Sequence, residues 1–106
     1  MPSEPKLAHS VFFSLVDNSR EAKEKLVAAC NKHLAGHPGT AFFAAGTLAE
    51  DIRWSISDRD FDVAIHVVFE SRAAHDAYQE SPRHQQFLDE NEANWKAIRV
   101  FDAYVG

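Results

Sequence analysis

The chain has 106 residues, of which 45% are hydrophobic, including eight Phe; this composition suits one packed domain and excludes a disordered chain. Its formal net charge of −5 excludes the concentrated basic surface that phosphate backbones require, so no nucleic-acid partner is expected. No stretch approaches the ~20 apolar residues of a membrane span and the first residues lack a signal-like apolar run, so a cytoplasmic protein without a membrane partner is expected.

Apolar periodicity divides the chain into four strands and three helices. In chain order, the predicted elements are strand 7–16, helix 19–35, strand 40–48, strand 61–69, helix 71–80, a helix that begins at Ser81, and strand 96–105. Residues 1–6 contain two prolines and are expected to be a flexible lead before a single domain at 7–105. The charged, mixed segment 49–60 predicts a long loop between neighbouring strands.

Several helix ends carry capping signals. Asn18 and Glu21 have the spacing of a capping box, and Ser71 suits the N-cap of the second helix. Ser81-Pro82 predicts the start of the third helix, because serine favours the N-cap and proline the first helical position. Cys30 lies in the apolar stripe of the first helix, which favours an inert core thiol over a reactive one.

The order β-α-β-β-α-β predicts an α+β, ferredoxin-like fold: an antiparallel four-stranded sheet with its helices on one face. The other face of the sheet is half apolar, although no element of the chain remains to cover it. Its residues on the first and third strands are Ser10, Phe12, Ser14, Val16, Ala64, His66 and Val68. An apolar patch of this kind predicts a homodimer formed through the open sheet face, a dimeric α+β barrel.

Three polar side chains fall on apolar, helix-facing surfaces: His9, Tyr78 and His84. A buried imidazole that titrates near neutrality can act as a general base, and a nearby tyrosine hydroxyl can donate to a developing oxyanion. They are therefore the candidate catalytic residues. The alternative is a structural hydrogen bond between a core tyrosine and a core histidine.

The remaining histidines favour structural roles. His37 and His75 are expected to face solvent, His33 to interact with the end of its helix, and His66 to lie in the dimer interface. Asp102 in the last strand could orient a neighbour, and a solvated or dimer-edge carboxylate fits equally well. The chain has no phosphate loop, nucleophile elbow or zinc-helix motif, so no cofactor and no metal are expected.

The chain resembles the stress-responsive A/B barrel (Dabb) domain family from Leu7 to Val105. A Tyr-x3-Pro-x-His-x2-Phe block, from Tyr78 to Phe87, carries the most specific part of the resemblance. The matching residues are His9, Asp60-Phe61-Asp62, Phe69-Glu70-Ser71, Tyr78, Ser81-Pro82-Arg83-His84, Phe87, Trp95 and Val100-Phe101-Asp102.

The resemblance implies a homodimeric α+β barrel, in agreement with the two-faced sheet. A plant polyketide cyclase of this family closes its substrate by an aldol-type condensation, and its catalytic Tyr and His look like Tyr78 and His84. Another pocket histidine of that enzyme looks like His9, whereas a further one corresponds to Val63. This departure puts the cyclase reaction in doubt but leaves a base and a hydroxyl in place.

Three functions follow as hypotheses. The first is a small-molecule pocket protein, a cyclase or lyase acting on a small aromatic or β-keto ligand, with His84 as base, Tyr78 as oxyanion partner and His9 as an orienting residue. The second is a non-catalytic dimeric module that binds a metabolite or a protein in the stress response. The third, suggested by fold analogy alone, is a cofactor-free monooxygenase.

Overall fold

The computed structural model describes residues 4–106, which form one sheet and three α-helices. The elements are β1 Lys6–Leu15, α1 Arg20–His33, β2 Thr40–Thr47, β3 Val63–Phe69, α2 Arg72–Glu80, α3 Pro82–Asn91, a short 3₁₀ turn Glu92–Asn94 and β4 Trp95–Val105. None of the helices in this described part has the length and apolar character needed to cross a membrane.

The four strands pair in the order β2-β3-β1-β4, and every neighbouring pair is antiparallel. This arrangement confirms the predicted α+β, ferredoxin-like fold. β1 is a central strand, so its residue His9 has Val67 of β3 on one side and Asp102 of β4 on the other. Because directly opposed residues of antiparallel strands point to the same face, His9 and Asp102 share the helix-facing surface.

The hydrophobic core lies between this surface and the three helices. Alternate residues of β1 and β3 point into it, as the period of two predicts. The buried side chains are Val11, Phe13, Leu15, Val63, Ile65, Val67 and Phe69 from the strands, with Leu26, Cys30, Leu34, Tyr78 and Phe87 from the helical layer. Cys30 is fully buried among them, in the position expected of a core thiol.

The first helix is capped by Ser19, not by Asn18 as the capping-box spacing predicted. The Ser19 hydroxyl accepts a hydrogen bond from the Ala22 amide at 3.2 Å, whereas the Asn18 amide donates to the Asp62 carboxylate at 3.5 Å. Asp62 immediately precedes β3, and its carboxylate also accepts a hydrogen bond from the Leu15 backbone amide at 2.7 Å. Sequence alone could not show this competing partner.

The other boundaries agree more closely with the predictions. Ser71 caps α2, and Ser81 caps α3 with Pro82 in its first turn, as predicted. β1 begins at Lys6, one residue inside the predicted lead; the rest of that lead includes residues 1–3, which lie outside the described residues.

The helices leave part of β4 uncovered on the helix-facing side. Ile98 and Val100 lie opposite Phe13 and Val11 in the register, so all four point the same way. The β1 residues are buried, but Ile98 is 46% and Val100 48% exposed. The helical layer is therefore open along β4, and this opening leads to the site described below.

Candidate functional site

A cavity of about 400 Å³ lies between α2, α3 and the helix-facing side of β1 and β4. Apolar side chains form most of its wall, and several titratable groups converge on it. The lining residues are His9, Val11, Phe13, Leu34, Ile65, His75, Tyr78, Gln79, His84, Phe87, Leu88, Ile98, Val100 and Asp102. Ligand sites are commonly built in this way, with a few polar groups in an apolar wall.

The structure brings together all three residues that the sequence singled out. Tyr78, on α2, lies between the other two: its ring centroid is 5.0 Å from that of His84 and 6.1 Å from that of His9. The break between α2 and α3 at Ser81-Pro82 turns the chain so that both helices face the cavity. The catalytic role of these residues stays a prediction.

The half-buried side chain of His84 has a free imidazole nitrogen. Its Nδ1 atom is buried and has no hydrogen-bond partner among residues 4–106. Burial lowers the pKa of His84 below its ordinary value of 6.5, and the neighbouring histidines His9, His37 and His75 add to this effect. At neutral pH the imidazole is therefore uncharged and keeps a lone pair that can accept a proton.

Tyr78 is packed on several sides by rings. It is 2% exposed, and its ring lies 4.9 Å from Phe69 and 5.0 Å from both His37 and His84. Burial raises the pKa of Tyr78 well above its usual range, so the phenol stays protonated and can only donate or accept a hydrogen bond. Tyr78 and His84 meet edge to face, and the alternative of a hydrogen bond that satisfies His84 Nδ1 is not found.

His9 is held by a carboxylate from the far end of the chain. Its Nδ1 atom lies 2.6 Å from Oδ1 of Asp102, a short, charge-assisted hydrogen bond. When Nδ1 donates to Asp102, the lone pair of the neutral imidazole is on Nε2, which lies 3.4 Å from the side-chain nitrogen of Gln79. Asp102 thus orients a neighbour, the first of the two roles considered for it.

Two histidines that were expected to face solvent are instead packed against the site. His75 is close to His9, with ring centroids 5.1 Å apart, and its Nδ1 atom lies 2.9 Å from the Asp76 carboxylate. His37 is buried, and its Nε2 atom donates to the His33 carbonyl at 2.7 Å. Those two expectations were wrong.

The spacing of His75 and Tyr78 was a signal that sequence reasoning missed. Positions i and i+3 share one face of a helix, so an inward Tyr78 implied an inward His75. Gln79 follows on the same turn and contacts both His9 and His75. Asp102 had no comparable local signal, because its contact with His9 depends on strand register.

A scan against protein-family models matches residues 7–105 to the stress responsive A/B barrel domain, Dabb. The chain belongs to the Dabb family. The match confirms the resemblance seen in the Tyr78–Phe87 block and covers β1 from Leu7 onward, the other three strands and all three helices. No curated protein reaches the level of a match to this chain.

Solved structures share the fold of this Dabb chain. A dimeric ferredoxin-like protein of unknown function from Thermobifida fusca superposes with a TM-score of 0.78 at 17% identity, covering 96% of this chain and 92% of that one. A Dabb family protein from Mesorhizobium loti gives 0.75 at 19% identity, covering 94% and 96%. Hydroxynitrile lyase from Passiflora edulis gives 0.76 at 22% identity, covering 99% and 96%. These likenesses establish the fold.

Proposed function

We propose that this Dabb protein binds a small β-keto or phenolic compound in the cavity and catalyses a proton-transfer reaction of the cyclase or lyase kind. The observation that carries the proposal is the free, buried Nδ1 atom of His84 beside Tyr78 in an open cavity. Because Nδ1 makes no hydrogen bond to residues 4–106, the ring of His84 is not held in a structural hydrogen bond through this atom.

The three residues divide the chemistry. His84 is uncharged at neutral pH and takes a proton from the carbon next to a carbonyl group. The Tyr78 hydroxyl, kept protonated by burial, donates a hydrogen bond to the oxygen that becomes negative. His9, fixed by Asp102, orients the ligand from the opposite wall.

The apolar wall suits the ligand class. Ile98 and Val100 border the cavity and are each about half exposed, so a ring or alkyl chain that packs on them would bury apolar area. A volume of about 400 Å³ lies in the usual range for small-molecule sites. The lyase from Passiflora edulis has the same fold, which supports, by analogy of fold, a lyase among the candidate reactions.

An NMR screen of phenolic and β-diketone compounds, followed by turnover assays, tests the proposal. The ring signals of His84 and His9 should shift together on binding, and Tyr78→Phe should weaken the response. His84→Gln should abolish turnover while the far-UV spectrum and the unfolding midpoint show a folded protein. Since Gln86 is exposed on α3 and does not line the cavity, Gln86→Ala is the control and should leave binding unchanged.

If only the ring signals of His66 shift when a compound is added, binding in the cavity is contradicted. If wild type and His84→Gln both bind a compound but neither converts it, the non-catalytic module is favoured. Oxygen uptake with quinol substrates would instead favour the monooxygenase reaction.

The proposal includes a homodimer formed through the open sheet face, defined here by Ser10, Phe12, Phe42, His66 and Phe101. Phe42 and Phe101 are each 55% exposed. The Phe12 ring lies 5.7 Å from that of Phe101, which makes the apolar patch continuous across β1 and β4. Exposed patches of contiguous aromatic residues mark protein interfaces, and the Thermobifida fusca neighbour is described as dimeric.

Light scattering during size-exclusion chromatography tests the dimer. Wild type should have twice the chain mass of 11.9 kDa, and Phe101→Glu should shift it toward one chain mass because the charge would be buried at the interface. Gln86→Glu adds the same charge on the exposed side of α3 and should not change the mass. A monomeric wild type at tens of micromolar (a concentration typical of such runs) would overturn the dimer.

A further inference from the structure

A second group of side chains lies at the edge of the cavity, apart from the Tyr78–His84 pair. One imidazole nitrogen of His9, one of His75 and one carboxylate oxygen of Asp102 all lie within 4.8 Å of one another. They come from three different elements: β1, α2 and β4. We infer that His9, His75 and Asp102 form a binding site for a divalent transition metal of the zinc class.

The donor set supports this class of ion. Two imidazoles and one carboxylate are ligands that Zn²⁺ accepts at sites that keep a further position open for water or substrate. Imidazole nitrogen also discriminates against Mg²⁺ and Ca²⁺, which prefer all-oxygen surroundings. Asp102 is 44% exposed on its side chain, which gives a hydrated ion a path to the buried His9.

A hydrogen bond to Asp76 already orients His75. The Nδ1 atom of His75 donates to the Asp76 carboxylate at 2.9 Å, so its Nε2 atom carries the lone pair. Metal-binding histidines typically donate their other ring N–H to a carboxylate or carbonyl, which fixes the ring and strengthens the ligand. The His75–Asp76 hydrogen bond has this arrangement. It is an observation separate from the short distances among the ligand atoms of His9, His75 and Asp102.

The other two metal ligands are Nδ1 of His9 and Oδ1 of Asp102, which are hydrogen-bonded to each other. An ion would replace the proton that these residues share, since Nδ1 and Oδ1 are 2.6 Å apart. Two ligands with bonds of about 2.0–2.1 Å to one tetrahedral ion lie roughly 3.4 Å apart. The His9–Asp102 pair must therefore separate by under about 1 Å, and the His75 nitrogen, within 4.8 Å of both, must approach by at most about 1.4 Å. The proton on Nδ1 of the neutral imidazole would pass to Nε2, so His9 would bind the ion without a net loss of protons. The Gln79 amide, 3.4 Å from Nε2 of His9, can turn its oxygen to accept the N–H that then forms there.

This inference goes beyond the proposed function and does not rest on it, because metal binding is measured without any substrate. An ion at this position would lie beside the cavity wall formed by His9 and Asp102. Zn²⁺ polarises carbonyl oxygens, so a bound ion would add a Lewis acid to the cavity wall.

Zinc titration against a chromophoric chelator tests the site, with protein first freed of metal by chelation and desalting. Wild type should take up one Zn²⁺ per chain, and Co²⁺ should give the visible absorption of a four- or five-coordinate ion. His75→Ala should weaken zinc binding at least tenfold, and Asp76→Asn by about 10–100-fold through loss of the supporting hydrogen bond.

Asp89→Asn is the control, because Asp89 is an exposed carboxylate on α3 that does not line the cavity. Its zinc affinity should equal that of wild type. Asp102→Asn provides a second ligand variant at an exposed position, in case His75→Ala fails to fold.

No zinc uptake by folded wild type, or equal loss of affinity in Asp89→Asn and in the ligand variants, would overturn the inference. Turnover assays repeated with and without chelator keep the two proposals apart. If His84→Gln loses turnover but still takes up zinc, the result concerns the acid–base chemistry of the proposed function and not the metal site.

Discussion

Gly39 offers the sharpest test of how α2 is held over the sheet. Its φ is +82°, and a Cβ atom built at this position would lie 2.4 Å from the Cβ of Ala74 on α2. Real Cβ atoms essentially never approach so closely, so α2 would have to move in Gly39→Ala. That helix carries His75 and Tyr78 into the cavity, and the substitution therefore perturbs both stability and the site.

The expected magnitude separates into two parts. An alanine at positive φ costs about 1–2 kcal/mol, and forcing one extra methyl group into a packed contact costs about 1–3 kcal/mol more. Gly36→Ala is the matched control, since Gly36 has a φ of +76° and nothing within 4 Å of an added Cβ. Both substitutions change the unfolded chain alike, so their difference isolates the contact with Ala74.

Urea denaturation followed by circular dichroism, at one fixed chain concentration, measures the free energy of unfolding. Gly39→Ala should be less stable than Gly36→Ala by about 1–3 kcal/mol. The double variant Gly39→Ala/Ala74→Gly should recover most of the stability difference between Gly39→Ala and Gly36→Ala, because the clash with the Ala74 methyl group is removed. The part not recovered should be the ~1 kcal/mol that a glycine costs inside a helix. Equal losses for Gly39→Ala and Gly36→Ala, or no coupling in the double variant, would refute the reasoning.

Three further predictions concern His84, Cys30 and Arg83. The folded-state pKa of His84 lies below its unfolded value of 6.5, so the unfolded chain binds more protons and the free energy of unfolding should fall as the pH drops below about 6.5. Urea titrations at several pH values should show a shallower fall in His84→Gln, and identical profiles would exclude His84 as a source. Burial raises the pKa of the Cys30 thiol to about 12, so a thiol reagent at pH 8 should label it in denaturant but not in the native protein; rapid native labelling would contradict its burial. The Arg83 guanidinium donates to the carbonyls of Lys32 and Ala35 at 2.7 and 3.0 Å, at the end of α1. Arg83→Ala should therefore lower the free energy of unfolding by about 1 kcal/mol, and a loss no larger than that of Gln86→Ala would show that these bonds contribute nothing.

Local rules explain why much of the fold was predictable. Ser71 and Ser81-Pro82 mark helix starts through contacts within three residues, which do not depend on the rest of the chain. Alternation along β1 and β3 sets which side chains face the helices, because the period of a strand is two. The inward position of His9 followed from this alternation, and the inward positions of Tyr78 and His84 followed from the helical spacing of apolar residues.

The first cap shows where local rules fail. Asn18 had the right type and spacing for an N-cap, but the Asp62 carboxylate lies close enough to take its amide, and Ser19 serves as the cap. The two residues are 44 positions apart, so no local pattern could reveal the competition. His37 and His75 were misplaced for a related reason, since the burial of a turn or helix face depends on what packs against it.

By itself, the sequence determined the order of the elements, the inward positions of His9, Tyr78 and His84, and the family, because periodicity and the Tyr78–Phe87 block are properties of short segments. The tertiary structure alone decided that Asp102 meets His9, 93 positions away, and that His75 joins them. Strand register causes this difference: a shift of one residue between β1 and β4 would turn Asp102 to the opposite face. Only the packing of the whole sheet against its helices selects that register.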